Sequence, residues 1–503
     1  MIGKTCYAHE SSPKTAKSIH AFVVTPSAPL RTPMNVSRRD LLRALGALGL
    51  APSLARCVEG APTDVLVPAF GDRVVIVGAG IAGLTAARIL VDAGKEVVVY
   101  EARQRVGGRI WTEDVGGVPV DLGAAWIHGN RRNPVAAYAD SIGLKYDADP
   151  QEVDRWWDEE TGVLTRAEID ALEDGLESFV GNRRRTRRRL PPNASFADGV
   201  ESWVEDNGGS ADFQRRIRFL LRLENESDYA GPSDNLSLET FWEEEDFSGG
   251  DFLPRGGFAG LIDTLATGLD IRLGQPVSAV TDNGTGVTLT IDGVAVSADA
   301  AIVTVPLGVL AAGSIAFSPA LSSARQGALD RLDMGTLEKI VLRFDEPFWG
   351  DALQGGLVVH QQTGGSAFPV FQDFSSSVGA PTLIGFNVGA EGRRVLDILD
   401  DDSLVAGALA ALEASLGVPV PSPTHQLVTR WRSDPFSMGS YSYIPVGAGF
   451  DDLRALGEPE WGARLLFAGE ATVADYYQTA HGAMISGARE ASRFGVPVDL
   501  PNL

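Results

Sequence analysis

The sequence has two cysteines in 503 residues, Cys6 and Cys57, and both precede the first folding motif. Disulfide staples, a thiolate nucleophile and a cysteine metal site are thereby excluded, so stability must come from a packed core. Positive charge is also in deficit: 43 Lys and Arg against 66 Asp and Glu leave a net charge of -23. That balance argues against nucleic acid as a partner and favours accumulation of small cations. There is no low-complexity repeat, no coiled-coil heptad and no serine–histidine–aspartate set with a credible nucleophile elbow. The most apolar stretch, Leu41 to Leu54, is too short and too weakly apolar for a permanent membrane span. What is abundant is glycine, at 57, with 28 prolines, which suits an α/β protein with many turns. The length allows two substantial domains.

The chain is organised around residues 73–109, DRVVIVGAGIAGLTAARILVDAGKEVVVYEARQRVGGR from Asp72. Val74 to Val77 is a short β-branched run, as a strand buried on both faces requires. It runs into Gly78, Gly80 and Gly83, and then into apolar residues at helical spacing. A strand, a tight glycine turn and a helix N-terminus form a pyrophosphate site, because free N–H groups and the helix dipole both favour the anion. The second strand, Glu96 to Tyr100, ends in Glu101, an acid suited to ribose hydroxyls. Arg103, Gly107, Gly108 and Arg109 extend the acid into ExRxxxGGR. This resembles the extended FAD signature of the flavin-containing amine oxidases, and implies that Glu101 holds the ribose while Arg103 and Arg109 line the phosphate and ribose region.

Ser37-Arg38-Arg39-Asp40-Leu41-Leu42 and the apolar segment after it resemble a twin-arginine export signal, a type that carries proteins already folded around a cofactor. Residues 34–60 are expected to be that signal, with 1–33 an upstream extension and Met34 the natural start. The expectation is an exported, periplasmic or extracellular protein with the export machinery as a partner. Lipid anchoring at Cys57 is the lesser variant, because Arg56 fits poorly beside a processed cysteine.

Further elements extend the resemblance over residues 72–495. Leu122-Gly-Ala-Ala-Trp126-Ile-His128-Gly129 is similar to the LGAxWIHG element of polyamine oxidases, which implies Ala125 and Trp126 against the cofactor and His128 on the substrate side. Residues 131–250 turn helical and polar, with Ile169, Leu172, Leu176 and Phe179 at helical spacing and six arginines between 183 and 189. Those arginines suit a solvated helix end or local ion pairs. Arg255-Gly-Gly257 resembles the family's RGG segment, followed by a helix from Leu261 to Leu269. Ile271 to Val280 reads as a strand, with Val277 near the adenine end by resemblance, and Ala301 to Pro306 reads as a buried strand. Lys339, placed just before a strand over Ile340 to Phe344, matches the family lysine that faces flavin N5, commonly through a water.

Trp431 resembles the tryptophan beside the flavin and Tyr441 an aromatic of the substrate cage, where aromatic faces hold alkylammonium chains. Phe467-Ala-Gly469-Glu470-Ala-Thr472 and Thr479-Ala-His481-Gly482 are similar to the C-terminal flavin element, with Glu470 on the ribityl or phosphate region and His481 a structural neighbour. Thr479 stands where monoamine oxidases of the family carry an aromatic, and with no cysteine near this element FAD is expected to be non-covalent. The threonine resembles spermine and N-acetylpolyamine oxidases, and also histone lysine demethylases.

The fold expected is α/β: an FAD-binding Rossmann-like domain of the glutathione-reductase type over 71–130, 251–315 and 428–500, interleaved with an α+β substrate-binding domain over 131–250 and 316–427. The activity implied is oxidation of a polyamine next to a secondary amine, with oxygen reduced to hydrogen peroxide. Cofactors carry the hard chemistry and the protein orients it. Glu224, Glu226, Asp228 and Glu243 to Asp246 are candidates for holding distal ammonium groups. An L-amino-acid oxidase, a dehydrogenase with another electron acceptor and a non-catalytic FAD-binding protein remain open on the same scaffold.

Overall fold

The computed structural model describes residues 72–149, 152–353, 355–363, 365 and 367–500. The segment expected to be an export signal lies outside these residues. The described chain builds two main sheets. The first is five-stranded and parallel, in the order Asp270–Arg272, Glu96–Tyr100, Arg73–Val77, Ala300–Val303, Leu465–Phe467. Its central strands are apolar on both faces because helices cover one face, through Leu84, Leu261 and Met484, and a smaller sheet covers the other, through Val280, Val287 and Leu289. Helix Ile81–Asp92 packs on Ala480–Ser492 so closely that a Cβ at Gly487 would stand 2.1 Å from the carbonyl oxygen of Ala82. Small residues at this contact let the two helix N-termini converge on one place.

The second sheet has seven strands, in the order His425–Val428, Leu337–Arg343, Thr382–Val388, Val370–Asp373, Leu357–Gln361, Val153–Asp158, Gly162–Val163. It is antiparallel except where Leu357–Gln361 runs parallel to Val153–Asp158. Three helices, Arg166–Arg189, Phe196–Asn207 and Ala211–Tyr229, join its core through Leu172, Phe179, Phe196 and Leu220. Helix Pro134–Ser141 packs instead with the nucleotide sheet, through Val135, Ala136 and Tyr138. A four-stranded sheet, Val294–Ala298, Val287–Ile291, Val277–Asp282, Ala316–Ser318, packs on the face of the first sheet that carries Val75, Val77 and Val303.

The structure redraws several expected boundaries. The strand expected over Ile271 to Val280 is two strands, Asp270–Arg272 and Val277–Asp282, broken by Gly274 at φ 65 and by Pro276. The strand expected to reach Pro306 ends at Val303, and Pro306 caps the short helix Leu307–Ala311. The helix after the RGG segment is Ala259–Ala266, not Leu261 to Leu269. Lys339 lies inside strand Leu337–Arg343 rather than before it. The arginine run ends helix Arg166–Arg189, where Arg183, Arg184 and Arg187 pair with Glu243 and Arg189 with Asp206.

Candidate active site

The glycine turn has the conformation its residue type permits. Gly78 sits at φ 107, and a Cβ at Gly83 would lie 2.1 Å from the Gly78 carbonyl oxygen. Gly108, at φ 61, brings its own backbone against Gly80, where a Cβ would stand 3.2 Å from the Gly80 Cα. At Gly80, the nearest atom to an added Cβ is 3.9 Å away. Gly80 is also the N-cap of helix Ile81–Asp92 and supplies no side-chain cap, so the first-turn N–H groups lack the side-chain acceptor that usually covers them. The turn therefore has the space and the donors for a pyrophosphate.

Glu101 is buried at the end of its strand, where its carboxylate accepts the Ala79 N–H at 2.7 Å and the Arg103 N–H at 2.8 Å. The Gln275 N–H donates to the Glu101 carbonyl at 2.8 Å, which draws the chain leading to Val277 alongside the expected adenine end. Arg103 is turned towards the loop after Trp431, with its guanidinium on Asp434 at 2.9 Å and Ser437 at 2.8 Å. Its charge thus fastens that loop to the nucleotide segment. Arg109 donates to Glu470 at 2.8 Å, and Glu470 also accepts Ser442 Oγ at 2.6 Å and the Gln478 N–H at 3.0 Å. Gly469, at φ 132, lets the chain turn into Glu470 beside Thr304.

From this turn a long cavity runs between the two sheets. Arg109, Ala125, Trp126, His128, Lys339, Trp431, Tyr441, Gly469, Glu470 and Thr479 all line it. Gly78, Gly80, Gly83, Glu101, Arg103, Gly108 and Val277 stand outside that lining, at the nucleotide turn and its neighbourhood. The expected residues therefore divide into those at the nucleotide turn and those lining the cavity.

Lys339 is the buried cation of the cavity wall. It is 1 % exposed, and its Nζ donates to the Asp121 and Gly123 carbonyls, both at 2.8 Å, with the Trp126 ring centroid 5.4 Å away. Burial lowers its pKa to about 8, with the Asp121 carboxylate pulling the other way. Trp431 Nε1 donates to the Leu122 carbonyl at 3.1 Å, so three successive carbonyls of the cavity wall are pinned by two side chains. Trp431 is held in turn by Glu338: this buried carboxylate accepts Thr429 Oγ1 at 2.6 Å and the Arg432 N–H at 2.8 Å. Alternation along the strand sends Glu338 to the loop and Lys339 to the cavity.

His128 Nδ1 lies 2.9 Å from Asp251 Oδ1, and Tyr441 donates its hydroxyl to the Ser227 carbonyl at 2.7 Å. Thr479 is the N-cap of helix Ala480–Ser492: it accepts the Gly482 N–H at 2.9 Å and donates to the Tyr476 carbonyl at 2.7 Å. Its hydroxyl is used in starting the helix, and its small size is what it offers the cavity. His481 is buried beside Phe247 and Tyr476.

Sequence reasoning missed Asp121, Glu338, Thr304 and Gln478. Asp121 is buried, accepts Thr112 Oγ1 at 2.5 Å and the Phe258 N–H at 3.1 Å, and has its pKa raised by burial to about 6. The signal available was a lone carboxylate between Val120 and Leu122, in a stretch otherwise apolar or small. Among the described residues no cluster of histidine, cysteine or carboxylates is arranged to hold a metal ion. No described helix is long and apolar enough to cross a membrane.

Comparison with known proteins agrees with this geometry. Residues 81–494 match the family described as flavin containing amine oxidoreductase. The chain is 34 % identical over 431 residues to polyamine oxidase 4 of Oryza sativa subsp. japonica, covering 82 % of this chain and 86 % of that protein. It is 33 % identical over 461 residues to lysine-specific histone demethylase 1 homolog 3 of Oryza sativa subsp. indica, covering 88 % of this chain. The chain spans about half the length of the demethylase relatives, 56 % in that case. Putrescine oxidase with bound putrescine shares the fold, with a TM-score of 0.69 at 22 % identity over 84 % of this chain and 98 % of that one.

These relatives overturn one expectation. Histone demethylases and polyamine oxidases of this group are nuclear or cytoplasmic rather than typically secreted enzymes, so the exported, periplasmic or extracellular location does not stand. Lipid anchoring at Cys57 and the export machinery as a partner fall with it. The cofactor expectation holds: the glycine turn, the cradle at Gly80 and the long cavity fit FAD, and both cysteines precede residue 72, leaving no thiol to link it. By sequence, fold and site together, the chain belongs to the flavin-containing amine oxidoreductase family.

Proposed function

We propose that the protein oxidises a polyamine such as spermine, spermidine or an N-acetylated form at a carbon next to a secondary amine, with the resulting imine hydrolysing to an aldehyde and an amine. The observation that carries this reading is the buried Lys339, clasped by two carbonyls in a cavity shared with Trp431, Tyr441 and Thr479. Bound FAD supplies the two-electron acceptor and returns the electrons to oxygen as hydrogen peroxide.

The rest of the work falls to the chain. Glu101, the Gly78–Gly83 turn and Arg109 would hold the cofactor's ribose and phosphates. Trp126, Trp431 and Tyr441 give the substrate's methylenes apolar faces and its charged nitrogens a cation–π surface. Neutral Lys339 has two N–H bonds, both used on the Asp121 and Gly123 carbonyls, and its lone pair is left for the cavity. A water held there can give that lone pair a proton as it attacks the imine carbon. A pKa of about 8 lets the lysine both accept and return that proton near neutral pH. His128, fixed by Asp251, orients the open end of the site.

The same reading divides the chain into cofactor-binding segments 71–130, 251–315 and 428–500 and substrate-binding segments 131–250 and 316–427. The second sheet, drawn from residues 153–163 and 337–428, supports that division. The packing of Pro134–Ser141 on the nucleotide sheet favours a first boundary beyond Ser141.

The test is anaerobic bleaching of the flavin absorbance by spermine, spermidine, N-acetylspermine, putrescine, an aromatic monoamine, a methyl-lysine peptide and L-amino acids. Fast bleaching by a polyamine, with peroxide on admission of air, is the expected result. Bleaching by amino acids alone would replace the reading with an amino-acid oxidase, and bleaching by the methyl-lysine peptide alone with a demethylase.

A further inference from the structure

Among the non-glycine residues that line the large cavity, Gln478 alone has a left-handed backbone, at φ 69. A residue with a side chain is strained there and a glycine is not. The surroundings impose the conformation. The Gln478 N–H is fixed on Glu470 at 3.0 Å, and the next residue, Thr479, donates its hydroxyl to the Tyr476 carbonyl at 2.7 Å. Gly482 approaches the same carbonyl so closely that a Cβ would stand 1.9 Å from its oxygen. A turn held this way suits glycine at position 478, and the chain carries an amide instead. The Gln478 Nε2 is buried and has no hydrogen-bond partner among the described residues, a state that native proteins leave in few places. Backbone strain and an unmet amide at one residue of a ligand cavity point to a ligand.

The charges of the wall narrow its chemistry. The single carboxylate of the lining, Glu470, is already matched by Arg109 at 2.8 Å and also accepts Ser442 Oγ and the Gln478 N–H. Thr479, beside the amide, uses its hydroxyl in starting its helix. An ammonium next to Gln478 would therefore meet no free carboxylate of the lining, and with donors only it would leave the Nε2 donors unmet. A hydrocarbon would leave the whole amide unmet. A neutral amine accepts from Nε2 only with the lone pair that its oxidation needs. An acylamide answers each point. It is uncharged, its carbonyl accepts from Nε2 and its N–H donates to Oε1, and this pairing of amide with amide holds whichever way the Gln478 amide is turned.

We infer that Gln478 is the specificity-determining residue for an N-acylated polyamine. Its side-chain amide bonds the acylamide at the end of the substrate that lies inside the cavity, and the remaining ammonium groups are left towards the acidic outside of the protein. The inference rests on the polyamine reading above and chooses among its substrates. Gln478 acts on substrate binding and takes no part in proton transfer.

The experiment compares N-acetylspermine with spermine in flavin-loaded wild type, Gln478→Gly and Gln478→Glu, by kcat/KM for peroxide formation and by anaerobic bleaching of the flavin. Gln478→Gly removes the amide and the backbone strain together. Gln478→Glu keeps the shape, removes the Nε2 donors and adds a charge, and it carries the test should Gln478→Gly fail to hold flavin. Wild type should favour N-acetylspermine. The ratio of its kcat/KM to that of spermine should fall roughly tenfold in Gln478→Gly, through loss of a buried hydrogen bond, and further in Gln478→Glu, where spermine gains a counter-charge. A structural role would lower both substrates together and leave the ratio alone. A wild-type preference for spermine would overturn the inference, and so would an unchanged ratio in the variants that hold flavin. An unchanged ratio with altered flavin absorbance would assign the amide to the cofactor, and without that change to a buried water. If neither compound bleaches wild-type flavin, the polyamine reading fails. The shift in thermal unfolding of the oxidised holoenzyme with N-acetylspermine then decides: a shift lost in Gln478→Gly supports an acylamide site at Gln478, and a shift absent from wild type or kept in the variant overturns it.

Discussion

At the scale of single residues, the informative groups are those whose burial and charge disagree. A fully buried lysine is unfavourable unless something holds its charge, and Lys339 has two carbonyls and the Trp126 face for that purpose. With a native pKa of about 8 against 10.5 for the free side chain, the folded state binds fewer protons than the unfolded state between those values. Stability should therefore rise with pH across that window, by up to roughly 3 kcal/mol from this group, whereas below pH 8 the cost of the buried charge is present in full. Asp121 works in the opposite sense: its pKa, raised to about 6, adds stability at low pH that is lost as pH rises through 6. Lys339→Met should remove the alkaline rise, which urea titrations at pH 7.5 and 9.5 would read directly. The same variant should slow turnover about a hundredfold, the lower end of a positioned acid–base group, and abolish an inflection near pH 8 in the rate profile. A wild-type profile without that inflection would remove Lys339 from the proton-transfer step.

At the scale of elements, the strand–turn–helix at residues 73–92 is where local rules and final structure agree. Gly83→Ala places a methyl 2.1 Å from the Gly78 carbonyl oxygen, a backbone clash that only opening the turn can relieve. The expected outcome is a folded protein purified with little flavin, read as the ratio of flavin to protein absorbance. Full flavin content in that variant would show that the turn does not clasp the pyrophosphate. Strand Leu337–Arg343 makes a different point, since its neighbours Glu338 and Lys339 serve two structures at once. Glu338→Ala should free the Thr429–Arg432 backbone and let Trp431 move, seen as a red shift in tryptophan emission and weaker flavin retention, with Lys339 still in place. The nucleotide turn and the alternation of strands and helices were legible because each depends on spacing or on residue type within a short window, whereas the cavity residues from His128 to Thr479 were picked out by the resemblance of their short motifs to those of the family. The sequence did not show the roles of Glu338 and Asp121 or the partners of Arg103, because those depend on contacts between segments tens to hundreds of residues apart. The split of Ile271 to Val280 was marked by Gly274 and Pro276, two breakers that the apolar pattern around them concealed.

At the scale of the whole molecule, net charge and architecture act together. The chain carries -23, and the cavity lies between a parallel nucleotide sheet and an antiparallel sheet, so a cationic substrate approaches through a field of one sign. A field of that kind raises the encounter rate in proportion to the ligand's charge and leaves the bound chemistry alone. The kcat/KM for a polyamine with three or four charges should consequently fall several-fold as ionic strength rises from about 20 to about 300 mM, across which the Debye length shrinks from roughly 20 to 6 Å. For a monocationic amine the fall should be small, and kcat should stay flat for both. Equal salt slopes for the monocation and the polyamine would mean that the acidic surface serves solubility alone, and that selection of the polycation resides entirely inside the site.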